Sequence, residues 1–247
     1  MTDILTVKDL GMKFEDKVVF KDLNFTLSKG SMTALLGANG TGKTTLIRIL
    51  MGMLQPTTGS FKFAPDTKVG YVPQFRNLDA DYPLSIRAFV ELNTPLFKNA
   101  RVKARVNQIL KETHLLDIQN TRMGEASGGQ KQRAYLAQAL LDKPDFIILD
   151  EATASLDPVA KEELMSLIKY LNEKHAMTVL FTTHDIPLAK KYMKDYLLFK
   201  DKGLVAGKIK DLNEEVAVVF IVKYDSIFDY AFRSSDDASI TKKTKDN

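Results

Sequence analysis

Gly37-Ala38-Asn39-Gly40-Thr41-Gly42-Lys43-Thr44 decides how the rest of this chain is read. It fits the pattern G-x-x-x-x-G-K-[ST], the phosphate-binding loop. Ser31 to Leu36 is apolar-rich and reads as a buried strand entering the loop, and Thr45 to Met51 reads as the helix leaving it. Glycines let the backbone curl so that successive N–H groups face an anion. The helix N-terminus adds partial positive charge at the same point. Lys43 is expected to reach the outer phosphates and the Thr44 hydroxyl to ligate Mg²⁺.

Composition narrows the class. The 247 residues suit one large domain or two small ones. No cysteine is present, which removes disulfides, thiolate zinc sites and cysteine nucleophiles. The net charge of +4 permits contact with a membrane surface or nucleic acid and demands neither. Met1-Thr2-Asp3-Ile4 lacks the basic and apolar regions of a signal peptide. The longest apolar candidate, Val216 to Val222, falls far short of the ~18 residues of a membrane span. The chain is therefore expected to be soluble by itself, with any membrane role supplied by a partner.

Upstream of the loop, Ile4 to Leu10 and the stretch from Val18 to Leu27 alternate like strands, and Lys29-Gly30 turns the chain. Phe14 stands between them, as either a core aromatic or a platform for an adenine ring. Downstream, Gln55 to Gly59 reads as a turn, Ser60 to Phe63 as a short strand, and Val69 to Val72 as a strand closed by Pro73. Gln74 is then either a solvated loop residue or an amide touching a metal-bound or attacking water. Ser85 to Leu92 and Ala100 to Leu116 read as helices. In the second, Val102, Val106, Ile109 and Leu110 make one apolar stripe. This polar middle section suggests a helical subdomain inserted into an α/β core. Arg101, Lys103, Arg105 and Lys111 read as a solvated helix face rather than a nucleic-acid patch.

Ser127-Gly128-Gly129-Gln130 precedes a helical stretch, Lys131 to Leu141, and could be a second anion site or a plain helix cap. One nucleotide does not need two such sites from one chain, but a second copy could use it. Phe146 to Leu149 is a continuous apolar run, as in a buried parallel strand, and it ends in Asp150-Glu151. In open α/β sheets that end of a strand is where ligands bind. Asp150 can hold Mg²⁺, and Glu151 can polarise the water attacking a γ-phosphate. Asp157-Pro158 reads as an N-cap followed by proline at the first helical position. His184, after the strand Thr178 to Thr183, is expected at the same edge as Glu151. Leu197 to Phe199, a turn at Asp201-Lys202-Gly203 and Leu204 to Ile209 suggest a closing hairpin.

Together these motifs resemble the ATP-binding subunit of ATP-binding-cassette (ABC) transporters, over roughly residues 3 to 212. The resemblance implies an α/β fold: a P-loop NTPase core with a mostly parallel sheet, an N-terminal antiparallel β-subdomain and an inserted helical subdomain, about 76–140. It implies a cassette domain over 1–212, with 213–247 as an extension whose end is disordered. Phe14 matches the family's adenine-stacking aromatic, and Gly37 to Thr44, with Thr45 behind them, match its ATP phosphate loop. Gln74 matches the glutamine that senses Mg²⁺ and the membrane partner. Ala126 to Gln130 match the signature, except that Ala126 replaces the usual leucine. Asp150 and Glu151 match the Mg²⁺ and catalytic carboxylates, Asp157 belongs to the loop that communicates across the dimer, and His184 matches the switch histidine.

The family further implies ATP and Mg²⁺ as cofactors, and ATP sandwiched between the loop of one subunit and Ser127 to Gln130 of the other. The expected catalytic set is Lys43, Gln74, Glu151 and His184, with Thr44, Gln74 and Asp150 around the metal. The implied partners are a second ATPase subunit, transmembrane permease subunits reached near Gln74, Tyr82 and Phe89, and, for an importer, an extracytoplasmic substrate-binding protein. The implied place is the cytoplasmic face of the membrane, with no nucleic acid bound. Gly70 to Gln74, Leu78-Asp79 and Tyr82 to Ser85 are similar to the bacterial zinc/manganese importers. The alternatives are a cassette for haem, siderophore or drugs, and a soluble cassette protein acting on DNA or ribosomes. The soluble relatives carry two cassettes or a long coiled coil, and 247 residues hold neither.

Overall fold

The computed structural model describes residues 2–74, 81–95 and 99–213. The chain opens with β1 (Asp3–Phe14), β2 (Lys17–Ser28) and β3 (Met32–Leu36), followed by α1 (Lys43–Leu50), β4 (Thr58–Phe63) and β5 (Val69–Val72). Next come α2 (Ile86–Val90), α3 (Ala100–Glu112), α4 (Gly128–Leu140) and β6 (Phe146–Asp150). The last third contains α5 (Pro158–His175), β7 (Thr178–Thr183), α6 (Ile186–Tyr192), β8 (Asp195–Lys200) and β9 (Gly203–Lys208).

Two sheets result. One is antiparallel, in the order β2-β1-β4. The other runs β5-β6-β7-β3-β8-β9 and is parallel except for the β8–β9 hairpin. The parallel order comes from the buried apolar runs at 32–36, 146–150 and 178–183, where every residue is buried. Strands covered on both faces need apolar residues at successive positions. Alternate residues then serve opposite layers. Leu35, Phe146, Ile148 and Leu180 pack toward the antiparallel sheet, with Phe20, Leu46 and Phe63. Leu36, Ile147, Leu149 and Phe181 pack toward the helices, with Val106, Leu136 and Ile168. Phe63 meets Phe146 edge-on at 5.4 Å, joining the two sheets. Each fully buried side chain of this size contributes about 2 kcal/mol of burial energy.

The mostly parallel sheet and the separate N-terminal antiparallel sheet agree with the sequence reading. Several element ends differ. Helix α3 stops at Glu112 rather than 116, because His114 turns left-handed (φ +55) and the Leu115 N–H returns to the Leu110 carbonyl. Helix α4 starts at Gly128 rather than 131, because Ser127 and Gln130 form a capping box. Strand β4 begins at Thr58, with Gly59 (φ +71) accepted inside it. Helix α2 is a five-residue piece capped by Ser85 and followed by a 3₁₀ turn at 91–93. Phe89, expected on the docking groove, turns its ring into the core, 5% exposed and edge-on to Tyr135 at 4.9 Å. The readings at Leu78-Asp79, at Val216–Val222 and along the C-terminal extension lie outside the described residues. Among those described, no helix is long and apolar enough to cross a membrane.

Candidate functional site

The strand order brings the motifs together. Strands β5, β6, β7 and β3 are successive neighbours. Gln74, Asp150-Glu151, His184 and the loop 37–44 follow the carboxyl ends of those same four strands. Sites in open α/β sheets form at this edge.

The loop links β3 to α1. Gly42 caps α1 in the left-handed region (φ +107), and a Cβ there would lie 2.9 Å from the Phe20 ring. Both conformation and space therefore exclude a side chain. Lys43 is 6% exposed, and its Nζ donates to the Gly37 carbonyl at 2.7 Å and the Ala38 carbonyl at 2.9 Å. The ammonium thus lies folded over the loop. The loop residues Gly40 to Thr45 line a cavity of about 440 Å³ that also contains Phe14, Lys17 and the β8–β9 turn. Phe14 is 49% exposed at the end of β1, so it is no core aromatic. Its face is available in the cavity that the loop opens.

Asp150 is 7% exposed at the end of β6. Its Oδ1 accepts from the Thr182 hydroxyl at 2.9 Å and its Oδ2 from the Tyr71 hydroxyl at 3.2 Å. Glu151, next in sequence, takes φ +46 and donates its N–H to Thr182 Oγ1 at 2.8 Å. One threonine hydroxyl therefore serves both acidic residues. The Glu151 carboxylate accepts from Gln74 Nε2 at 2.9 Å and lies 3.8 Å from Lys43 Nζ. Gln74 is thereby no idle loop residue: its amide reaches the glutamate. Tyr71 and Thr182 were missed in the sequence. The Thr182-Thr183-His184 run, polar at the end of a buried strand, was the signal for one of them. His184 is exposed between β7 and α6, while its neighbour Asp185 caps α6 by accepting from the Leu188 N–H at 3.0 Å.

The profile of the family described as ABC transporter matches residues 20–154, more than half of the chain. The chain belongs to the ABC transporter family. Curated relatives named zinc import ATP-binding protein ZnuC agree with this. The one from Rickettsia conorii is 36% identical over 183 residues, covering 74% of this chain and 77% of the relative. The one from Yersinia enterocolitica is 35% identical over 188 residues, covering 76% and 73%. A solved ABC transporter in an inward-facing conformation superposes with a TM-score of 0.81 at 28% identity, over 90% of both chains. The cbiO1 protein of Clostridium perfringens, part of the ABC transporter complex cbiONQ, gives 0.76 at 28% identity, over 89% of this chain and 94% of its own. As an ABC cassette, this chain is the ATP-binding subunit of a transporter.

Of the family motifs only Phe14 and the phosphate loop line the loop cavity; Gln74, Asp150, Glu151 and His184 lie beyond its lining, as do the remaining motifs. Ser127 Oγ accepts from the Gln130 N–H at 3.3 Å, and Gln130 Oε1 accepts from the Ser127 N–H at 2.9 Å. The glycines between them also have work within the chain. A Cβ on Gly129 would lie 3.1 Å from the Ala160 Cβ, and one on Gly128 would lie 3.3 Å from Leu156 Cδ2. Their smallness lets α4 approach the start of α5. Asp157 caps α5, its Oδ1 accepting from the Val159 and Ala160 N–H groups at 3.0 Å each. None of these residues lines the loop cavity.

The residues at the edge suit Mg²⁺. Asp150, Thr44 and Gln74 offer only oxygen donors for a hard cation, and each Asp150 oxygen keeps a lone pair beyond its one hydrogen bond. Among the described residues no group of three or more His, Cys, Asp or Glu forms a metal cage. Mg²⁺ bound through one or two protein oxygens plus phosphates and water needs no such cage.

Proposed function

We propose that this chain hydrolyses ATP to drive the uptake of a divalent metal ion, zinc foremost, through a membrane permease. The observation that carries the hydrolytic reading is the placement of the Glu151 carboxylate, 2.9 Å from Gln74 and 3.8 Å from Lys43 at the mouth of the phosphate loop. Zinc as cargo is supported by the ZnuC relatives at 35–36% identity over about three quarters of the chain.

The chemistry follows from what each side chain can do. Phe14 stacks the base, and the loop N–H groups with Lys43 hold the phosphates. Lys43 exchanges its bonds to the Gly37 and Ala38 carbonyls for phosphate oxygens. Thr44 and Asp150, with Gln74, hold Mg²⁺, which when bound neutralises charge on the phosphates. Glu151 accepts the proton of the attacking water, Gln74 orients it, and His184 donates to the γ-phosphate. Catalysis of this kind is chiefly positioning and charge stabilisation. Ser127 to Gln130 of a second copy complete the site, so that ATP holds two cassettes together and hydrolysis lets them part. Residues 1–212 act as the cassette, with 76–140 relaying closure to the permease at the cytoplasmic face.

Radiolabelled zinc uptake tests this reading in a strain lacking the chain. Uptake is expected to fall on deletion, to return with the wild-type chain and to stay low with Glu151→Gln. Uptake unchanged by deletion would overturn zinc as the cargo. Full rescue by Glu151→Gln would overturn the role given to the glutamate.

A further inference from the structure

The β8–β9 hairpin contributes to the nucleotide cavity in a way the family motifs do not account for. Lys200 pairs with Gly203, so Asp201 and Lys202 are the two turn residues, with φ +50 and +64. A two-residue turn of this kind wants glycine at its second position, where a side chain is strained. Glycine is present, but one residue late: Gly203 lies in the strand and lysine occupies the strained place. The turn is anchored from behind, where the Lys21 N–H donates to the Lys202 carbonyl at 2.9 Å. Lys202 is exposed and lines the loop cavity together with Lys17 and Lys200. Asp201 is the only carboxylate in that lining. Four lysines, Lys43 on the loop included, against one carboxylate give the lining a net positive charge that favours an anion. Strain kept at such a place marks a side chain with a task.

We propose that Lys202, held left-handed at the tip of the β8–β9 hairpin, binds the phosphate chain of the nucleotide at the mouth of the loop cavity and sets its affinity. This rests on the reading of that cavity as the ATP site. Titration calorimetry with ATP tests it, alongside thermal melting of the nucleotide-free chain. Lys202→Gly removes both charge and strain. It is expected to weaken ATP binding about fivefold, the worth of one exposed charge contact, without lowering the melting temperature. Lys202→Gln keeps the side chain but not the charge and should weaken ATP equally, while Lys202→Arg should bind within about twofold of wild type. If either neutral variant binds ATP as tightly as wild type, the proposal is overturned. A wild-type chain that binds no ATP at all would overturn the underlying reading of the cavity, and this proposal with it.

Discussion

At residue 151 the backbone adopts φ +46, a conformation that costs a non-glycine residue about 1–2 kcal/mol. What holds it there is Thr182, whose hydroxyl accepts from the Glu151 N–H and donates to Asp150 Oδ1. Thr182→Val keeps the shape and removes both bonds. It is expected to lower stability by about 1–3 kcal/mol in denaturant titration. ATP turnover should fall further than ATP affinity, because the glutamate loses its aim while the loop is untouched. Thr182→Ser should restore both. A Val variant with wild-type turnover would show that Thr182 does not position Glu151. Lys43, Asp150 and Glu151 could be singled out from the sequence because they stand in motifs that suggest a chemistry. Thr182 was not, since a threonine at the end of a buried strand reads equally well as ordinary sheet. Its task depends on the register that sets Asp150 opposite Thr182.

Between elements, the ends of α3 and α5 are fastened by one carboxylate. Glu112 Oε1 lies 2.7 Å from Lys174 Nζ and accepts from Gln108 Nε2 at 3.2 Å, and Oε2 lies 3.7 Å from His175 Nε2. Burial works to raise the Glu112 pKa. The hydrogen bonds from Lys174 and Gln108, with the charges of Lys174 and His175, outweigh it and hold the pKa below the ordinary value. A carboxylate whose folded pKa is lowered stabilises the fold above its unfolded pKa, about 4.3, and that stability is lost as pH falls through the folded value. Lys174 is 39% exposed, so solvent screens the pair. Glu112→Gln should therefore lose a little stability at neutral pH, and the gap from wild type should close as pH falls below about 4. A gap independent of pH would mean that the carboxylate charge plays no part. At this scale the sequence was readable in its interiors and not at its ends. Apolar runs announced β3, β6 and β7, whereas α3 stops just before a left-handed histidine and the hairpin turn takes only Asp201 and Lys202 of the three residues expected there. Helix ends and tight turns are settled by a few hydrogen bonds that periodicity does not carry.

Across the whole molecule, the sheet order puts the phosphate loop, Glu151, Gln74 and His184 on one edge, while Ser127 to Gln130 lie outside the loop cavity. The proposed function makes each chain half of a shared site, with Ser127 to Gln130 serving the ATP of a second copy. Which strand neighbours which could not be read from any one motif. Ser127→Arg should leave ATP binding to the single chain intact and block pairing. The most direct measurement is the mass in solution of the Glu151→Gln chain, by light scattering, with and without ATP. Without ATP the expected mass is that of a single chain, 27.7 kDa. With saturating ATP the expected mass is about twice that, with no increase once Ser127→Arg is added. A Glu151→Gln chain that binds ATP and still weighs 27.7 kDa would contradict the shared site.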